Sequence, residues 1–272
     1  MARHGREGRR GGCTLPILLV LFIAAALWQG RDEQGVPRRP GLFDRRDEAL
    51  PEFGIADDER RQDSQGTAFA VGTNGLWLTA EHVVRGCARI GLATGPGQAQ
   101  RVVEVHQSPS ADAALIADGM PGPIGLALAA TAPVPGARGY HMGYPAGEPA
   151  IVESELIGPG NAVRGSGRSE AVLAWAEIDR FPDFDHTLGG ISGGPTLDSA
   201  GQVVGINSAA SERRGRVLTT RPGAGMELVR AVRHSYRPAA EPPIAGLHDA
   251  VRRFRHLSAL GAIRPVYCDV AE

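Results

Sequence analysis

The sequence of 272 residues contains no lysine, so all 29 of its Lys and Arg positions are arginine. This absence excludes a catalytic pair of serine and lysine. The formal net charge of −1 gives no electrostatic reason to expect a nucleic acid as a partner. Neither a Cys-x-x-Cys nor a His-Glu-x-x-His pattern occurs, so we expect no metal site and no cofactor.

Cysteine is also scarce, with only Cys13, Cys87 and Cys268. Cys13 lies beside basic residues and has no apolar stretch before it, which argues against a lipoprotein cleavage site. In an oxidising compartment, Cys87 and Cys268 are expected to form a disulfide that closes a long loop. The alternative is two unrelated buried thiols.

The first residues of the chain predict its location. Four arginines precede a mostly apolar run at residues 15–28, which is the layout of an export signal. We expect residues 1–30 to be either an uncleaved membrane-anchor helix or a cleaved signal peptide. The rest of the chain would then lie on the periplasmic side of the membrane, either anchored or secreted. Residues 31–60 are rich in Arg, Asp, Glu, Pro and Gly, which predicts a flexible linker.

Glycine, in contrast, is abundant: its 37 residues are about twice the usual share of about 7%. Short apolar runs separated by glycine- and proline-rich turns predict antiparallel strands in two groups, on either side of residues 119–136. Helical periodicity follows in the stretches 226–232 and 251–260. The expected strands are 67–71, 76–79, 89–93, 101–106, 113–117, 137–142, 151–157, 171–177, 195–197, 203–207 and 216–219.

The most informative stretch is Gly-Ile-Ser-Gly-Gly-Pro at residues 190–195, where glycines surround Ser192. A hydroxyl that attacks a carbonyl needs an open approach on one side and backbone N–H groups on the other. Ser192 is therefore the candidate nucleophile. His82 follows an apolar stretch predicted to be a buried strand, and Asp112 precedes another. These two residues are the candidate base and the carboxylate that orients it.

The order His, Asp, Ser distinguishes among the unrelated folds that carry such a triad. Together with Gly-Thr-Ala-Phe at 66–69, it makes residues 61–235 resemble the chymotrypsin-like (trypsin-like, PA-clan) serine proteases, closest to compact bacterial and HtrA-like members. The resemblance implies an all-β fold of two six-stranded antiparallel barrels with a C-terminal helix. Residues 236–272 would be an extension of unknown role, too short for the PDZ domain of HtrA proteins.

The resemblance also implies a role for each site residue. His82 would take the proton of Ser192 and return it to the leaving amine, while Asp112 would accept the other imidazole N–H. The N–H groups of Gly190 and Ser192 would form the oxyanion hole. Ser208 would support Asp112 through a hydrogen bond.

Other candidates are weaker. Asp118 is the main rival for the carboxylate role, whereas His106 and His141 lack the neighbourhood that favours His82. Ile191 stands where trypsin-type zymogens carry an aspartate that pairs with a newly cut N-terminus. Since isoleucine cannot form that ion pair, we expect no activation of this kind.

By resemblance, His186, Thr187, Ala209 and Ala210 should border the primary specificity pocket. No aspartate lies at its expected base, so cleavage after Arg or Lys is not expected; an apolar or an acidic side chain remains open. We expect a serine endopeptidase of the cell envelope that cleaves proteins or peptides through an acyl-enzyme; no oligomeric state is indicated. The alternatives are a catalytically silent sensor or scaffold, and an α/β-hydrolase-type esterase in which a helix would follow Ser192.

Overall fold

The structure, a computed structural model, describes residues 50–55, 64–165, 167–211, 215–232, 236, 238–240 and 242–270. The expected export segment of residues 1–30 and most of the expected linker lie outside the described residues. Within the described ranges, no helix combines the length and the apolar character needed to cross a membrane.

Strands dominate the described part of the chain, which confirms the all-β prediction. They are β1 (Glu52–Ile55), β2 (Ser64–Ala70), β3 (Trp77–Thr79), β4 (Arg89–Gly95), β5 (Gln98–Val102), β6 (Val105–Gln107), β7 (Ala114–Ile116), β8 (Arg138–Gly143), β9 (Ala150–Arg164), β10 (Ser169–Phe181), β11 (Pro195–Leu197), β12 (Val203–Ser211), β13 (Arg216–Thr220) and β14 (Ile263–Asp269). The α-helices are α1 (Glu81–Val84), α2 (Pro222–Ala231) and α3 (Leu247–Leu260), and Pro145–Gly147 forms a short 3-10 helix. The helical periodicity correctly predicted α2 and α3.

The second group of strands forms a closed ring of six. Its order is β9, β10, β13, β12, β11 and β8, and β8 pairs back with β9. We call it the C-terminal barrel, and it agrees with the six-stranded barrel that the resemblance implied. β1 joins its outside as a parallel partner of β9, with Glu52 opposite Asn161. The residues of β1 were expected to belong to the linker, so this part of the linker is a strand.

The first group forms an open seven-stranded sheet in the order β5, β4, β14, β2, β3, β7 and β6, here called the N-terminal sheet. The expectation of a second six-stranded barrel was therefore wrong. A strand from the extension at 236–272 lies in the middle, because β14 pairs with both β2 and β4. Val266 of β14 lies opposite Gly66 on one side and Leu92 on the other.

Local sequence explains how β14 reaches this place. α3 buries Ala250, Val251, Phe254 and Leu257, which recur at helical spacing and pack into the apolar core. Gly261 ends the helix with a φ of +74°, in the left-handed region that favours glycine. The chain then enters β14 directly. A disulfide between Cys87 and Cys268 joins β14 to the segment after α1, as predicted.

Candidate active site

His82 and Asp112 lie at neighbouring strand ends of the N-terminal sheet. β3 and β7 pair with Thr79 opposite Ala114, which brings the segments after β3 and before β7 to the same edge. The backbone N–H of His82 donates to Asp112 Oδ1 at 2.9 Å, and its ring Nδ1 lies 2.7 Å from Oδ2. Because an ionised carboxylate only accepts hydrogen bonds, Nδ1 carries the proton and Nε2 is left as the acceptor.

Asp112 is almost completely buried, with 1% of its surface exposed. Burial by itself would raise its pKa. The charge and hydrogen bond of His82, the charge of Arg164 and the hydrogen bond from Ser208 outweigh this effect and hold the pKa of Asp112 well below its usual range. The Ser208 hydroxyl donates to Asp112 Oδ2 at 2.6 Å. Asp112 is therefore ionised over the whole range of neutral pH.

The rival candidates make other contacts. The carboxylate of Asp118 accepts hydrogen bonds from the N–H groups of Val103 at 2.9 Å and Glu104 at 3.1 Å, which closes the turn between β5 and β6. His106 lies on the surface, with Nε2 3.1 Å from Glu104 Oε1. Both residues therefore stabilise the edge of the N-terminal sheet.

Ser192 lies in the loop between β10 and β11, here called the nucleophile loop. The N–H of Thr67 on β2 donates to Ser192 O at 2.8 Å, and the N–H of Gly193 donates to Asn207 O on β12 at 2.8 Å. Gly193 has a φ of +86°, and a Cβ added there would lie 2.2 Å from Thr67 O, so only glycine fits. The loop leads into β11, which excludes the helix that the α/β-hydrolase alternative requires.

Gly66 brings the nucleophile loop close to the segment that carries His82. A Cβ added at Gly66 would lie 2.6 Å from Val83 Cγ1 and 3.0 Å from Ser192 O. The residue next to His82 and the backbone of Ser192 therefore both pack on this glycine. Among the described residues, the Ser192 hydroxyl has no hydrogen-bond partner. Hydrogen bonds between catalytic side chains, such as one from Ser192 to His82, are often long or unformed before substrate binds.

The two residues on either side of Ile191 in the nucleophile loop have free backbone donors. The N–H groups of Gly190 and Ser192 donate to no other residue in the described ranges. Gly190 has a φ of +104°, and a Cβ added to it would lie 2.4 Å from Tyr144 O. Its carbonyl accepts a hydrogen bond from Thr67 Oγ1 at 2.7 Å, which holds the peptide between Gly190 and Ile191. The peptide that carries the Gly190 N–H is held through Gly189 O, which accepts from the Ala146 N–H at 2.9 Å. The neighbouring N–H groups of Ile191, Gly193 and Gly194, in contrast, bond within the protein.

Ile191 shows how the nucleophile loop is held without a buried ion pair. It is 3% exposed and belongs to the apolar cluster of the C-terminal barrel that also contains Trp175, Leu188 and Val204. Burying such a side chain stabilises a fold by about 1.5–3 kcal/mol. The loop is therefore anchored by the packing of Ile191 in this apolar cluster and by the hydrogen bonds of Thr67.

A buried polar cluster that sequence reasoning missed supports the same loop. Asn207 Nδ2 donates to Ile191 O at 3.3 Å, and Asn207 Oδ1 lies 2.9 Å from His141 Nδ1. The other ring nitrogen of His141 lies 2.6 Å from the Ser154 hydroxyl. Burial lowers the pKa of His141 to about 4, so the ring is neutral at neutral pH. His141 was not expected to act as the base, and its sequence neighbourhood gave no signal for this supporting role.

Arg164 was also missed, and it contacts the site directly. It ends β9 and is 6% exposed. Its Nη2 lies 2.8 Å from Asp112 Oδ2, 3.0 Å from Glu170 Oε1 and 3.1 Å from Ser208 Oγ. No motif signals this arginine, because only the closure of the C-terminal barrel brings residue 164 to residue 112.

The four residues expected to border the specificity pocket lie in two places. His186 and Thr187 are exposed in the nucleophile loop, and the His186 ring stacks on Phe184 with 4.3 Å between ring centroids. Ala209 and Ala210 follow Ser208 on β12; Ala209 is half-buried and Ala210 is exposed. His186 and Thr187 thus precede Ser192 in the nucleophile loop, whereas Ala209 and Ala210 follow Ser208 on β12.

A β-fold with a histidine bound to a buried aspartate and a serine framed by glycines defines the class of trypsin-like serine proteases. Residues 66–206, just over half of the chain, match the family model of the trypsin-like peptidase domain, and the chain belongs to this family. It is a serine endopeptidase, a hydrolase. A comparison with curated protein sequences found no match.

Solved structures share the fold. The active form of the Rv3671c protease from M. tuberculosis is 22% identical, with a TM-score of 0.51, over 66% of this chain and 78% of that chain. The HtrA-type protease AlgW in complex with a tripeptide is 21% identical, with a TM-score of 0.50, over 62% of this chain and 55% of that chain.

Proposed function

We propose that the chain hydrolyses peptide bonds with His82, Asp112 and Ser192 as its catalytic triad. The observation that carries the proposal is the double hydrogen bond of Asp112 to the backbone and the ring of His82. It fixes the tautomer in which Nε2 accepts a proton, which is the form a general base requires. The free N–H groups of Gly190 and Ser192 support the same assignment.

In the proposed reaction, Ser192 Oγ attacks the carbonyl carbon of the substrate while His82 Nε2 takes its proton. The N–H groups of Gly190 and Ser192 stabilise the negative oxygen of the tetrahedral intermediate. His82 then gives the proton to the leaving amine, which departs and leaves an acyl-enzyme. Water, activated by His82, releases the acid and restores Ser192. These steps need neither a metal nor a cofactor.

The substrate and the location are proposals of the same kind. The HtrA-type neighbour AlgW holds a tripeptide, and we propose protein or peptide substrates here too. His186, Thr187, Ala209 and Ala210 are the proposed lining of the primary pocket, which would take an apolar or an acidic side chain. The arginines and the apolar run of residues 1–30 support action in the cell envelope, with the chain anchored or exported.

Labelling with a serine-directed fluorophosphonate tests the proposal. We expect the wild type to react and Ser192→Ala to be silent. Ser199→Ala is the matched control, because Ser199 is exposed in the turn between β11 and β12, and this variant should react like the wild type. Equal labelling of the wild type and Ser192→Ala would refute the assignment, and a wild type that neither reacts nor cleaves a peptide library would favour the silent scaffold.

A further inference from the structure

Three donors converge on one oxygen of Asp112. Oδ2 lies 2.6 Å from Ser208 Oγ, 2.7 Å from His82 Nδ1 and 2.8 Å from Arg164 Nη2. A carboxylate oxygen has two lone pairs, so three donors share an oxygen that normally accepts two hydrogen bonds. Arg164 therefore competes with His82 for the charge of the same atom.

Arg164 has a partner of its own in Glu170. The two side chains are 3.0 Å apart and both are buried. The second carboxylate oxygen of Glu170 has no hydrogen-bond partner in the described residues. Burial, followed by the nearby charge of Asp112, raises the pKa of Glu170. Removing Arg164 alone would thus leave two buried carboxylates without their cation.

Further charged groups surround this cluster. Glu81 on α1 lies 3.6 Å from both Arg168 and Arg85, and its charge acts on Arg164. Arg168 also donates to the carbonyls of Ser108 and Ala111, which precede Asp112 in the chain. The charged or titratable groups around Asp112 are therefore His82, Arg164, Glu170, Glu81, Arg168 and Arg85.

We propose that Arg164 is a positioning residue of the triad that holds the Asp112 carboxylate in place and weakens its pull on the His82 proton. This inference rests on the proposed function. With Arg164 present, less of the Asp112 charge is available to stabilise the imidazolium form of His82. The enzyme would consequently remain active in more acidic surroundings than a triad without this arginine.

The test compares Glu170→Gln with Arg164→Gln/Glu170→Gln in the full-length chain. The two variants differ by one buried positive charge, and neither leaves an unpaired glutamate. We expect the acid limb of the kcat/KM profile to lie about half to one pH unit higher in the double variant, as an order of magnitude for a charge several ångströms away. Arg164→Lys, which keeps the charge, should move the limb back towards its wild-type position.

A second measurement does not depend on turnover. The hydrogen bond between His82 and Asp112 gives a far-downfield proton resonance, which should move further downfield when one donor leaves Oδ2. If the limb and the resonance of the double variant coincide with those of Glu170→Gln, Arg164 has only a structural role and the inference fails. If the wild type itself is inactive, the proposed function fails, while the resonance still reports on Arg164.

Folding of the variants is checked by circular dichroism. Buried ion pairs can often be replaced by apolar residues of similar volume without loss of stability. Arg164→Met/Glu170→Met, compared with Glu170→Met, therefore provides the same comparison if the glutamine pair does not fold. The same upward movement of the acid limb is expected, and its absence overturns the inference.

Discussion

The two sheets of this protease are completed in different ways. The C-terminal barrel closes on itself with strands from residues 138–220, and its wall needs no other part of the chain. The N-terminal sheet is completed only by β14, which follows β7 by more than a hundred residues. His82 and Asp112 belong to the dependent sheet, whereas Ser192 and Arg164 belong to the closed barrel. The proposed triad therefore exists only when a long-range contact has formed.

The strongest test of this difference is Val266→Asp in the middle of β14. Val266 is fully buried between β2 and β4, so a carboxylate there would be desolvated without a partner. We expect a loss of about 4 kcal/mol or more in the free energy of unfolding. Tyr267→Asp is the matched control, since this neighbour is 41% exposed, and it should lose about 1 kcal/mol or less. Denaturant unfolding measures both, and equal losses would contradict the central role of β14.

The buried polar cluster of the C-terminal barrel makes a second test. His141 has a pKa of about 4 in the folded chain and 6.5 as its ordinary value, so the unfolded chain takes up the proton first as pH falls. The contribution of the neutral His141 ring to the free energy of unfolding is complete above pH 6.5. It declines towards pH 4, by roughly 3 kcal/mol in total.

The variant His141→Gln should remove this part of the pH dependence of unfolding. His106→Gln, which changes a histidine on the surface of the N-terminal sheet, is the control and should keep it. Unfolding free energies of the three proteins at pH 7 and pH 4.5 provide the measurement. A slope unchanged in His141→Gln would show that the cluster does not titrate as inferred.

The smallest expected effect concerns the contact between the two sheets. Thr67 of the N-terminal sheet donates to Gly190 O and accepts from the Tyr144 N–H, both in the second half of the chain. Thr67→Val should lower kcat about fivefold with little change in KM, because losing the hydrogen bond to Gly190 O loosens the Gly190–Ile191 peptide, next to the oxyanion donors, by about 1 kcal/mol. Thr67→Ser keeps the hydroxyl and should behave like the wild type. Steady-state kinetics with a peptide substrate distinguishes them, and identical kinetics of both variants would exclude this role.

Sequence reasoning succeeded where the signal is local. The apolar strand before His82, the one after Asp112 and the glycines around Ser192 each lie within a few residues of the side chain they position. It failed for β14 because the sheet partner of Val266 is Gly66, two hundred residues earlier, and because Pro265 interrupts the strand pattern. It failed for Arg164 for the same reason, since the register of β9 around a closed barrel is not encoded in local periodicity.

The position of β14 also sets an order for the completion of the N-terminal sheet. Cys268 pairs with Ser64 in the sheet, so the first described residues of the N-terminal sheet find this partner only after residues 263–269 have been synthesised. Until then His82 and Asp112 belong to a sheet without its middle strand. A chain truncated before β14 is therefore expected to lack the support that this strand gives to the segments carrying His82 and Asp112.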